Sequence, residues 1–173
     1  GGGASGVGPA LTKRSRTSSS AAQQAQQAPL PPSGQQAEQP VMRGAMEVDP
    51  GTGLVVIKGF WALNMEHFED AKLTSPFEYK LKAGTGSAPP ASDGTIPPTS
   101  GIYVGGFKMA QLGTNKKRTI KDQDLHIQFK RTPRVTGQYE LSAGGKNEFG
   151  VFTMTGTARV TSSTAHQVEM FRT

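Results

Sequence analysis

The 173-residue chain contains no cysteine. Disulfides, thiolate metal sites and cysteine nucleophiles are therefore excluded. Aromatic residues are sparse (Phe 8, Tyr 3, Trp 1), and none occurs in the first 50 positions. No apolar run approaches the roughly 18 residues of a membrane-spanning helix. The opening Gly1-Gly2-Gly3 has neither an initiator Met nor the apolar core of a signal peptide, so the chain reads as an internal fragment. An intracellular, nuclear location is expected.

What is present divides the chain in two. The first 50 residues hold seven Gly, six Pro and seven Gln. Such a stretch cannot bury enough apolar surface to offset the entropy of ordering, so residues 1–50 are expected to be a disordered arm. Residues 51–173, with all the aromatics, are expected to form one domain. Within the arm, Gln23 to Pro32 is low-complexity and ends with polyproline character. The cluster Lys13-Arg14-Ser15-Arg16 has the K-R-x-R form of a nuclear import signal, which an import receptor would read as extended basic side chains. A solvated basic patch is the alternative.

From Leu54 onward short alternating apolar runs are punctuated by Gly, Pro and Asn, which predicts consecutive antiparallel strands. The expected strands are Leu54–Leu63, Phe77–Lys82, Ile102–Ala110, Leu125–Lys130, Gln138–Ala143, Val151–Arg159 and Gln167–Phe171. One short helix is expected at Met65–Lys72, capped by Asn64, with Met65, Phe68 and Ala71 on one face. Gly59-Phe60-Trp61, Gly106-Phe107 and Gly150-Val151-Phe152 read as an internal repeat, with 47 residues from Phe60 to Phe107 and 45 from Phe107 to Phe152. The predicted fold is all-β: an antiparallel meander closing into a small barrel or half-barrel, with glycines at strand kinks. Gly144-Gly145-Lys146-Asn147 is expected to be the turn of a hairpin, and Gly84–Ser100 a long surface loop.

Two stretches carry a resemblance. Ser100-Gly101-Ile102-Tyr103-Val104-Gly105-Gly106-Phe107 and Ala143-Gly144-Gly145-Lys146-Asn147-Glu148-Phe149-Gly150-Val151-Phe152 resemble an uncharacterised Gly/aromatic β domain of algal and protist proteins. That resemblance spans residues 54–173 and implies a β-rich fold without an assigned activity. Gly59-Phe60-Trp61 is similar to the Gly-x-Trp opening of lipocalin-like barrels. That likeness implies an apolar ligand near Trp61 and a covering role for Arg172.

The chemistry-bearing residues are dispersed. His67, His126 and His166 lack metal-ligand spacing, and no Gly-x-Ser-x-Gly elbow occurs. Asp122 and Asp124 would share a face of an extended strand but fit turn residues better than an acid/base pair. Gly144-Gly145-Lys146 lacks the spacer and trailing hydroxyl of a phosphate loop. No catalytic site, metal or cofactor is expected.

Residues 51–173 carry 15 Lys+Arg against 10 Asp+Glu. The excess concentrates in Lys116, Lys117, Arg118 and Lys121, and in Lys130, Arg131 and Arg134. Both groups are expected in loops flanking one strand, as a patch for nucleic acid or an acidic partner. The expectation for function is a non-enzymatic protein-interaction module, a component of a larger nuclear assembly without membrane contact. The alternatives are a nucleic-acid-binding module using the basic loops and a small barrel holding an apolar ligand at Trp61.

Overall fold

The structure, a computed structural model, describes residues 38–89, 96–111 and 113–173. Eight strands follow one another: β1 (Val41–Val48), β2 (Val55–Ala62), β3 (Ser75–Leu81), β4 (Gly101–Ala110), β5 (Lys117–Arg131), β6 (Gln138–Asn147), β7 (Gly150–Val160) and β8 (Ala165–Arg172). Each pairs antiparallel with the next, and β8 returns to β1, so the meander is a closed barrel. Closure leaves no unpaired strand edge to recruit other chains. The arm's basic cluster Lys13, Arg14 and Arg16 lies outside the described residues.

Alternation builds the wall. In β3, Phe77 and Tyr79 point inward while Pro76, Glu78 and Lys80 face water. In β5 the phase changes: Ile120 and Asp122 are buried at even positions, then Leu125, Ile127 and Phe129 at odd ones. An extra residue must be absorbed between them. The register of β5 accordingly shifts against both neighbours, and Asp124 takes a φ of 51°, a left-handed conformation that Asp tolerates better than most residues.

The lumen is filled. Tyr79, Tyr103, Tyr139, Ile57, Ile120, Leu125 and Ile127 are fully buried in one cluster. Each such aliphatic side chain contributes about 1.5–3 kcal/mol, and eight strands give an interior just wide enough for side chains to fill. Gly44 and Gly59 face each other across β1 and β2. A Cβ on Gly59 would collide with the Arg43 carbonyl, and one on Gly44 with that of Lys58, so only glycine permits the strands to coil this closely.

The meander puts the β1–β2, β3–β4, β5–β6 and β7–β8 connections at one end of the barrel. There the described part of the β3–β4 connection acts as a plug. Pro98 is fully buried, the Thr99 carbonyl accepts from Tyr103 Oη at 2.6 Å, and the Ile96 carbonyl lies 2.8 Å from His166 Nε2. The other end, where β1 begins and β8 finishes, is the mouth.

All seven expected strands are present, and five expectations are corrected. β1 lies inside the stretch expected to be disordered; its Met42 and Met46 are buried only because β2 and β8 flank it on both sides. The expected helix is two 3-10 turns, Glu66–Glu69 and Ala71–Leu73, with no buried residue. Asn64 does cap the first through a 3.0 Å bond from the His67 amide, but the Asp70 side chain accepts from the Lys72 amide and restarts the chain instead of continuing a helix. Gly144-Gly145-Lys146-Asn147 belongs to β6, and the hairpin turn is Glu148-Phe149, because Asn147 still pairs with Gly150. Lys117, Arg118, Lys121, Lys130 and Arg131 lie on β5 itself rather than in loops. The repeat motifs also differ in facing: Phe60 is exposed while Phe107 and Phe152 are buried.

Candidate binding surfaces

Asp122 is the buried charge nearest the mouth. Its carboxylate accepts from Tyr79 Oη (2.6 Å), Asn147 Nδ2 (2.8 Å) and Arg172 Nη2 (3.1 Å), which ties β5 to β3, β6 and β8. The Arg172 guanidinium lies 3.5 Å from the Phe152 ring centre and 5.1 Å from that of Phe107. Burial, and after it the neighbouring Asp122 charge, pushes the Tyr79 hydroxyl well above the ordinary tyrosine range, so it remains a donor. A carboxylate held by three donors is a lock rather than a free base. Asp124 cannot partner it. The β5 bulge turns Asp124 outward, where it meets Lys146 Nζ at 2.8 Å, and that ammonium holds its carboxyl below the usual range. The two aspartates therefore do not share a face.

Arg172, to which the lipocalin likeness gave a covering role over Trp61, stacks on Phe107 and Phe152 and borders the same recess as Trp61. Trp61 packs edge-on against Phe107 at 5.0 Å and donates through Nε1 to the Lys108 carbonyl at 2.8 Å. It borders a recess of about 440 Å³ at the mouth, together with Phe149, Phe152 and Arg172. The packed lumen below stops that recess at the rim.

The three histidines are placed apart, in a surface turn, on the outside of β5 and beside the plug. Among the described residues no group of three or more His, Asp or Glu could hold a metal ion, and no helix is long and apolar enough to cross a membrane. His166 is buried, and desolvation pulls its imidazole below the ordinary range, opposed by the Ile96 carbonyl.

The basic residues expected to form one patch are separated. Lys117 and Arg131 sit at opposite ends of β5, on the order of 40 Å apart along an extended strand of fifteen residues. Alternation splits the first group further. Arg118 pairs with Glu148 at 2.8 Å and approaches the Phe149 ring, whereas Lys117 donates to the Thr74 carbonyl at 3.2 Å on the outer wall. Lys116 lies in the β4–β5 turn, Arg134 in the β5–β6 turn, and Lys130 faces out near the plugged end.

Lys121 joins a different set. On the outside of β2–β5 lies a depression of about 1010 Å³, bordered by Phe60, Pro76 and Val104 and by Lys58, Glu78, Lys108 and Lys121. Phe60 is 55% exposed and Val104 52%. Its floor is bare because Gly106 lies against β5 so closely that a Cβ would collide with the Ile120 carbonyl. Past Phe60 and Pro76 the surface continues into a second recess beside Phe68 and Lys117. Sequence reasoning assigned no role to this surface. The available signal was the outward phase of Phe60 and Val104 within otherwise regular alternation, beside three glycines.

Comparison of the chain with protein-family models, with curated proteins and with solved structures finds no match.

Proposed function

We propose that the barrel is a non-enzymatic protein-interaction module and a component of a larger assembly in the nucleus. The observation that carries this reading is the division between a filled interior and an apolar exterior patch. Side chains occupy the lumen, and the buried Asp122 is fully engaged by donors. Phe60 and Val104 instead stand in water on one wall, and Phe149 and Val151 at the mouth. Exposed apolar groups gathered in a concave surface mark interaction sites. The test is affinity capture with the full chain from nuclear extract, expected to recover a protein partner in stoichiometric amount; a chain recovered alone would count against the module. The nuclear assignment rests on Lys13, Arg14 and Arg16. A fluorescent fusion should lose nuclear accumulation when all three become Ala, and unchanged distribution would remove that part of the reading.

A second reading, nucleic-acid binding, is favoured by Lys108 and Lys121 beside the exposed Phe60 ring. It predicts an affinity that falls steeply between low and physiological salt.

A further inference from the structure

We infer that the depression on the outer wall of β2–β5 docks an acidic segment of a protein partner through an apolar anchor residue. This rests on the interaction-module reading and names the partner's chemistry.

The charge around the depression is mainly basic: Lys58, Lys108 and Lys121 border it against one exposed carboxylate, Glu78, while Asp122 is buried and engaged by its own donors. Lys58 is paired with Glu47, and Lys80 with Glu78 at 3.1 Å, so those lysines are neutralised locally. Along the β4–β5 side, Lys108, Lys117 and Lys121 have no carboxylate partner among the described residues, although Lys117 reaches the Thr74 carbonyl. Lys108 and Lys121 at the depression, with Lys117 at the adjoining recess, complement a segment whose carboxylates alternate with, or flank, an apolar side chain.

The floor distinguishes the class of ligand. A single-stranded nucleic acid gains its affinity by stacking successive bases on aromatic faces. Here one exposed ring, Phe60, borders Pro76, the bare Gly106 and Val104, with Glu78 opposite Gly106. That sequence of surfaces offers a pocket for an aliphatic or aromatic side chain and no second stacking platform. The wall opposite presents Thr153, Thr155 and Thr157 on β7. Gly106 on β4 leaves the recess without a side chain at its floor, and its lysines stand on β2, β4 and β5 around that floor.

The experiment is fluorescence anisotropy with the full chain and a labelled peptide of Asp and Glu around one Phe and one Leu. Three competitors accompany it: the same peptide with Asn and Gln for the acids, the same with Ser for Phe and Leu, and an oligothymidylate of equal length. The expected result is saturable binding of the acidic apolar peptide, with each altered peptide about tenfold weaker. The pair Lys108→Glu with Lys121→Glu, and separately Phe60→Ser, should each weaken binding about tenfold. Arg159→Glu, on the opposite wall, should leave it unchanged, and all variants should melt with the parent. Absence of binding, equal loss in Arg159→Glu, or indifference to the wall variants would overturn the site. Tighter binding of the oligothymidylate, lost in the same lysine variants, would overturn the peptide and assign the depression to nucleic acid. If partner capture from nuclear extract persists in the wall variants, the docking site fails while the interaction module stands.

Discussion

At the mouth of the barrel Asp122 collects donors from β3, β6 and β8, whereas at the plugged end Tyr103 and His166 each reach one backbone carbonyl of a single connection. The first arrangement is ionic and joins residues up to 50 positions apart; the second is neutral and closes over the β3–β4 connection. A buried charge is expensive to strand, so the mouth should behave as one unit that fails when any member is removed. A neutral side chain bonded to a carbonyl is worth far less, so the plug should loosen without unfolding the barrel.

The sharpest way to break this contrast is Asp122→Ala, which strands the Arg172 guanidinium and removes the acceptor for Tyr79 and Asn147. A loss of about 3–5 kcal/mol is expected in urea unfolding; a loss below about 1 kcal/mol would place the cost of opening elsewhere. Arg172→Ala should approach that loss, because it leaves Asp122 without its cation, while Arg172→Lys should fall between, keeping charge but not the planar stack on Phe152. At the plug, Tyr103→Phe deletes one hydrogen bond and should cost about 1 kcal/mol, with faster amide exchange confined to the β3–β4 connection.

The plug should also respond to acid. The folded His166 has a depressed pKa, so the native state binds fewer protons than the unfolded chain between that value and the ordinary one of 6.5. Stability from this group is complete above 6.5 and is lost as pH falls through the window. His166→Gln should flatten that part of a melting-temperature profile; a parallel profile would exclude His166 as its source. Tyr79 and Tyr103 act at the opposite extreme, since burial raises both, and their contribution is lost as pH rises beyond the ordinary tyrosine range of about 10. The smallest expected effect is on the outer wall, where Phe60→Ser should change stability by less than about 0.5 kcal/mol, consistent with a side chain displayed for a partner.

Much of the barrel was legible because alternation in a half-buried strand is a local property. Phe77-Glu78-Tyr79-Lys80 and Leu125-His126-Ile127-Gln128-Phe129 announce their own facing, and seven of the eight strands followed from such runs. β1 did not, since Val41-Met42-Arg43-Gly44-Ala45-Met46 has Gly44 at a central inward position where a large apolar residue would have shown the period. The phase change in β5 was written in the chain as the step from Ile120 and Asp122 to Leu125 and Ile127, and it is the one signal that could have revealed Asp122 as an inward-facing charge. The basic clusters misled for the same reason: adjacency in sequence sends Lys117 and Arg118 to opposite faces of a strand.

By itself, the sequence determined the all-β class, the absence of thiol chemistry and the strand-by-strand division between core and solvent, because composition and period-two alternation act on neighbouring residues. Tertiary structure alone decided that β1 completes the ring, that Asp122, Tyr79, Asn147 and Arg172 converge, and that Lys108 and Lys121 flank Phe60. Each of those outcomes depends on the register between strands far apart in the chain, and that register is set by closing the barrel around one packed core.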